Sequence, residues 1–212
     1  MATHLAGSLA FCQGGEILDR VVASVGNVAI TSSEVEREYR LERFLDGQWP
    51  PPTPDAAILA QVRESLTDRV LLSHEDNPAA GDELAVKKAA EARLATLRKA
   101  FTREADFGGA LRSLDLTETE LLGRMVEDDR TLRLIDQRLR PAASPSDDAV
   151  MDYYRRTFVP EYQKKSPGAA APSFTEVEDQ IREVLTQKRI NELLDQWIEE
   201  LKPASHVRFH SF

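Results

Sequence analysis

The stretch VVASVGNVAITSSEVE, Val21 to Glu36, is two short strand-like segments that meet at a turn and run without a loop into a helix start. Ile17, Val21, Ala23 and Val25 alternate as a half-buried strand does, although Leu18 and Val22 break the pattern on the other face. Gly26 and Asn27 both tolerate the positive φ of a tight hairpin turn, and Val28-Ala29-Ile30 returns as the partner. Thr31-x-x-Glu34 is a capping box: the threonine hydroxyl accepts from the amide three residues on, and the glutamate reaches back. A two-stranded hairpin is marginal in water, so the chain must supply a third strand and an apolar backing. SHVRFH, near the C-terminus, alternates again, with Val207 and Phe209 on one face and His206, Arg208 and His210 on the other. The two ends of the chain are therefore expected side by side in one small antiparallel sheet.

Between those ends the chain reads as helix. Its 42% apolar and 30% charged residues, with only 7% aromatic, suit charged amphipathic helices better than a sandwich or barrel. The first helix stops before DGQWPPPTP, where Gly47 and Pro50-Pro51-Pro52 cannot continue it. Thr53-Pro54 signals a restart, a cap followed by proline at the first helical position, and Ile58, Val62, Leu66 and Val70 stripe one face of a helix reaching Asn77-Pro78. A third helix, 82 to 101, carries Ala90, Leu94, Leu97 and Phe101 on one side; DFGGALRSL is a short, glycine-loosened turn of helix. A second capping box, Thr117-x-x-Glu120, opens a helix to Leu139 with Leu121, Met125, Leu132, Ile135 and Leu139 in a row that Asp128 interrupts. A brief helix from Asp147 to Thr157 holds Tyr153-Tyr154, and KKSPGAAAPS reads as a flexible linker. Ser173-x-x-Glu176 then opens the last helix, facing Val177, Ile181, Val184, Leu194, Trp197 and Leu201 inward until Lys202-Pro203 stops it.

The totals exclude several function classes. A net charge of -9 opposes the phosphate-neutralising surface of a nucleic-acid binder. With Cys12 alone there is neither an intramolecular disulfide nor a cysteine-based metal site. Residues 1–15, MATHLAGSLAFCQGG, read as a leader or the remnant of an export signal, Ser8-Leu9-Ala10 resembling its small-x-small end without a basic n-region. No later segment approaches the roughly 18 apolar residues of a membrane span. Gly108-Gly109 lacks the lysine and spacing of a phosphate loop, and no nucleophile motif accompanies His74. Glu127-Asp128-Asp129 reads as a solvated charged face, since adjacent helical residues point different ways; His206 and His210 lack a third metal ligand; Pro51-x-x-Pro54 reads as a rigid connector. No cofactor, metal site or catalytic residue is expected.

Order and spacing together carry a family resemblance. DRVVASVGNVAITSSEVE is similar to the opening of the SurA-type periplasmic chaperones, a hairpin D-x-V-V-A-x-V, a turn, then I-T-x-S-E, matched here by Asp19, Val21, Val22, Ala23, Val25, Ile30, Thr31, Ser33 and Glu34. The likeness continues through LTETELLGRMVEDDRTLRLIDQRLR, SPSDDAVMDYYRRTF and PSFTEVEDQIREVLTQKRINELLDQWIEELKPASHV, and so covers nearly all of Glu16 to Val207. It implies a mostly helical chaperone core over residues 16–212, long helices around a sheet made by the N-terminal hairpin and the C-terminal strand. In the family a parvulin prolyl-isomerase domain is usually inserted before the last helix. Here Phe158 to Ser173 fills that gap, with a linker at 159–173, far short of the ~50 residues a domain needs. The resemblance thus implies a core without prolyl isomerase activity, exported or periplasmic, that holds unfolded or extended clients, notably outer-membrane proteins, in an apolar groove without ATP. Phe44, Leu45, Trp49, Phe101, Phe107 and Tyr154 are the candidate peptide-binding residues, with ordinary core packing as the competing role for each. Trp49 stands out, lying in a polar, proline-rich loop. The alternative function is an assembly module, in which the same groove takes one dedicated partner or a second copy in a homodimer.

Overall fold

The computed structural model describes residues 19–75 and 83–212. The proposed leader and the expected end of the second helix at Asn77-Pro78 lie outside them. The chain is mostly helical, with one small antiparallel sheet whose strand order is β2-β1-β3: β1 is Val21–Val25, β2 is Val28–Thr31 and β3 is Arg208–Phe209. The N-terminal hairpin and the C-terminal strand do meet. Val25 pairs with Val28 across the turn and Ala23 with Ile30, while on the other side Ala23 pairs with Phe209 and Ser24 with Arg208. Gly26 takes the positive φ, 57°, that the turn demands; Asn27 does not share it. The register slips between Val21 and Ala23, which lets both Val22 and Ala23 be buried and accounts for the imperfect alternation of the sequence. Arg63 clamps β3 from the second helix: its guanidinium lies 4.8 Å from the Phe209 ring and 5.1 Å from that of Phe212, and Nη1 donates to the His210 carbonyl at 2.9 Å.

Helix α1, Ser32–Leu45, begins where β2 ends, because the Thr31 capping box forms: Glu34 N donates to Thr31 Oγ1 and Thr31 N to Glu34 Oε2. Asp19 adds a second lock. Its carboxylate accepts from the Ser33 hydroxyl and from the Ser33 amide, and the hydroxyl above all holds its pKa down to about 2. Helix α2, Ala56–Ser73, starts two residues later than Thr53-Pro54 signalled, since Asp55 is the cap, its Oδ1 accepting from Ile58 N at 2.8 Å. The glycine-bearing DFGGALRSL segment is helical as expected but longer than one loosened turn: α4, Glu104–Ser113, follows α3, Glu83–Lys99. Burial of Phe107, Ala110 and Leu111 on one face outweighs the glycine penalty. Helix α5, Glu118–Leu139, is opened by the Thr117 box as expected.

The C-terminal part differs from expectation at the linker. Helix α6, Asp147–Tyr153, passes through a π-helical turn, Tyr154–Phe158, into α7, Val159–Lys165. Half of the proposed 159–173 linker is thus helix. Stacking explains it: Tyr154 lies on Phe158 at 5.8 Å and 19°, Phe158 meets Tyr162 at 6.1 Å, and Tyr154 Oη donates to the Pro172 carbonyl at 2.8 Å. Helix α8, Phe174–Ala204, is about 46 Å long and carries Pro203 inside its last turn. It runs past the expected stop because Ser205 N donates to Leu201 O, so the turn closes despite the missing proline donor.

Four apolar clusters hold these elements. The sheet cluster joins Val22, Val25 and Ile30 to Val35, Tyr39, Val62, Leu71 and Ile198. A second joins the C-terminal half of α1 to α3, α4 and the start of α5. The third sets Trp197 and Ile190 against Leu72, Leu134 and Leu139, and the fourth sets Val177 and Ile181 against Val150.

Candidate functional site

Phe44, Leu45, Trp49, Phe101 and Phe107 come together in one cluster, whereas Tyr154 lies in another beside Phe158 and Phe174. Phe44 is the hub. Trp49 meets its ring edge-on at 5.7 Å and 88°, and Phe101 and Phe107 lie 5.5 and 5.8 Å away. Phe44 and Phe107 are 0% and 1% exposed, so they form the floor of this face and present no surface themselves. Leu45, Trp49 and Phe101 are half-buried and keep part of their apolar area open.

The sequence did not mark the cleft that opens beside β2. It encloses about 310 Å³ between Val28, Ala29 and Ile30 of the sheet edge and Leu41, Leu66, Val70 and Leu116. Leu41 comes from α1, Leu66 and Val70 from α2, and Leu116 from the turn before α5. Its charged rim is largely occupied. Glu34 is held by Thr31, Glu120 by Thr117, and Glu38 by Arg124. What the cleft offers inside is therefore apolar wall, with the charges of Glu34, Arg37 and Glu120 kept at its exposed rim.

Behind the cleft lies a charge network that no sequence motif announced. Glu38 is buried, and Arg124 clasps it with Nη1 to Oε2 at 2.9 Å and Nη2 to Oε1 at 2.8 Å. Arg69 Nη1 stands 2.8 Å from Glu38 Oε1, off the hydrogen-bonding axis, and Arg124 Nε donates to Asp128 at 2.8 Å. Burial pushes Glu38 up, yet the Arg124 hydrogen bonds and the Arg69 charge outweigh it, so its pKa sits below the ordinary carboxylate range. Arg124 borders three hollows: the β2 cleft, one of about 490 Å³ along α2 and α5, and one of about 650 Å³ between α1, α2, α5 and α8. In the last of these Glu42 and Asp68 are both raised, chiefly by burial; the neighbouring Glu38 charge adds to it for Glu42.

The three consecutive acids of α5 turn three ways, as helical geometry requires, but the solvated-face reading holds only for Glu127. That residue pairs with Arg130, Asp128 joins the buried network, and Asp129, 16% exposed, takes Arg93 at 2.9 Å. Leu132 and Val184, expected inward, are 62% and 53% exposed; Leu134 and Ile190 are buried in their place. Among the described residues no group of three or more His, Cys, Asp or Glu side chains converges on a metal-sized site, and no helix is long and apolar enough to cross a membrane. Comparison of the chain with protein-family models, with curated proteins and with solved structures finds no match.

Proposed function

We propose that this chain binds unfolded or extended polypeptide without ATP and shields it from aggregation, with no prolyl isomerase activity of its own. The reading rests on one observation, the solvent-open apolar cleft beside β2, whose rim acids are held by partners within the chain. An accessible apolar wall with charges of both signs confined to the rim favours extended apolar segments over ions or nucleotides. That the clients are outer-membrane or other exported proteins, met outside the cytoplasm, follows from the sequence resemblance alone. The half-buried Leu45, Trp49 and Phe101 are proposed as a second contact area for longer clients.

The test is light scattering of an outer-membrane protein diluted from urea. Equimolar chain should delay the rise in scattering, and replacing Leu66→Glu in the cleft should abolish the delay while circular dichroism stays unchanged. No delay with the unaltered chain would end the holdase reading.

A second reading, assembly with another copy or a dedicated partner, is favoured by the exposed Leu132 and Val184. Leu132 also lines a recess of about 550 Å³ with Ile135 and Ile190 between α5 and α8, a contiguous apolar surface that a partner can cover. A mass that stays dimeric on dilution, and becomes monomeric with Leu132→Ser, would support it.

A further inference from the structure

We infer that an extended peptide docks by adding a strand to the free edge of β2, exchanging backbone hydrogen bonds with Ala29 while one large apolar side chain enters the cleft. This rests on the holdase reading and assigns it a binding mode.

The direction of the backbone groups follows from the register. Val22 O accepts from His210 N at 2.9 Å and Gly26 N donates to Ser205 O at 2.7 Å, so the even-numbered residues of the hairpin's first half bond toward β3. Ser24, between them, therefore faces β3, where it pairs with Arg208. Its partner across β1 and β2 is Ala29, which must sit at a position whose own N–H and C=O point away from β1, to the outer edge of the sheet. Ala29 is exposed, and among the described residues β2 has a strand neighbour on one side only. The next outward donor along the strand, Thr31 N, is already taken by Glu34 Oε2 at 2.8 Å. Ala29 is thus a two-bond docking point with a defined end.

The occupant's chemistry follows from what lies under that edge. Strand pairing supplies affinity through main-chain bonds, and a pocket beneath the edge supplies selection among side chains. Alternate side chains on one face of a strand recur about every 6.6 Å. A hollow of about 310 Å³ is at the small end for ligand pockets, so one large side chain fits while its neighbours remain outside. Glu38 is neutralised by Arg124, and the charges of Glu34, Arg37 and Glu120 stay at exposed rim positions in water, so the mainly apolar interior of the hollow holds no counter-ion for a charged side chain. The preferred segment is extended, with one phenylalanine- or leucine-sized residue among small ones.

Hydrogen exchange at the Ala29 amide, read by NMR on the full chain, tests this. The probe is a seven-residue peptide with a central phenylalanine among serines and alanines. Saturating peptide should slow exchange at Ala29 by more than about tenfold, and N-methylation at the one peptide residue that donates to the Ala29 carbonyl, not at its neighbours, should weaken binding about tenfold. Ala29→Pro removes the outward donor at an edge position, where proline is tolerated, and should weaken binding similarly while circular dichroism stays native. Should that variant fail to fold, the exchange and N-methyl series on the unaltered chain still decide. Bound peptide with unchanged Ala29 exchange and a flat N-methyl series overturns strand addition and leaves the holdase reading standing. A chain that binds neither this peptide nor an unfolded client overturns both.

Discussion

Arg124 holds Glu38 by two parallel hydrogen bonds, 2.9 and 2.8 Å, that tie α5 to α1 across the back of the β2 cleft. On α1 Glu38 lies between Val35 of the sheet cluster and Leu41 and Phe44 of the α1–α3–α4–α5 cluster. A buried ion pair is poor evidence of net stability, but half of one is costly, because the remaining charge stays buried without its partner. Glu38→Gln or Arg124→Met should each destabilise the chain by about 3–5 kcal/mol. The double variant Glu38→Met with Arg124→Met should recover much of the loss. Urea unfolding of the three variants measures it; additive single losses would show that the pair does not act as a unit.

The same residues set a pH dependence. Glu38 is lowered in the folded chain, so its contribution is present above the unfolded carboxylate range and is lost as pH falls through its own lower value. Glu42 is raised, so it opposes folding at neutral pH and stops doing so once acid protonates it. Glu42→Gln should therefore raise the melting temperature at pH 7 and lose that advantage below the ordinary glutamate range. A melting temperature equally raised at pH 3 would contradict this origin.

Truncating the aromatic hub separates packing from binding. Phe44→Ala should cost about 3–5 kcal/mol, the range for a large ring removed from a closed core. Trp49→Ala, which removes a half-buried ring lying edge-on to Phe44, should cost less. For a short peptide in the β2 cleft, Trp49→Ala should change affinity by less than about twofold, since the ring lines no part of that cleft. For a long client the loss should be larger. Loss with the short peptide would move the primary site to the Phe44, Trp49 and Phe101 face.

A chromogenic prolyl peptide should isomerise at the uncatalysed rate in the presence of this chain. Only residues 166–173 separate α7 from α8, and no domain fits in that length. Catalysis proportional to chain concentration would contradict the proposal.

Local chemistry was legible wherever one side chain decides a backbone event. The boxes at Thr31, Thr117 and Ser173 open their helices, and Gly26 makes the hairpin turn. Asp55 displaced Thr53 because its carboxylate reaches Ile58 N and its own backbone is extended, so the helix opens after it. Periodicity failed where a long helix changes neighbours. Helix α8 packs on Val150 near its start, on Leu134 and Leu139 midway and on the sheet at its end, so its buried stripe rotates and leaves Val184 outside. The β2 cleft was illegible for a different reason: it depends on strand order, and nothing local tells which strand of a hairpin the third one joins. The Glu38–Arg124 pair spans 86 residues, beyond any spacing rule for helices.

Site-specific photocrosslinking puts the client's position to the most direct test. A photoreactive phenylalanine analogue replacing Arg37, on the rim of the β2 cleft, should capture an unfolded outer-membrane protein, and the same analogue replacing Val184 should not. Capture from position 184 with none from position 37 would contradict the claim that extended polypeptide is held beside β2.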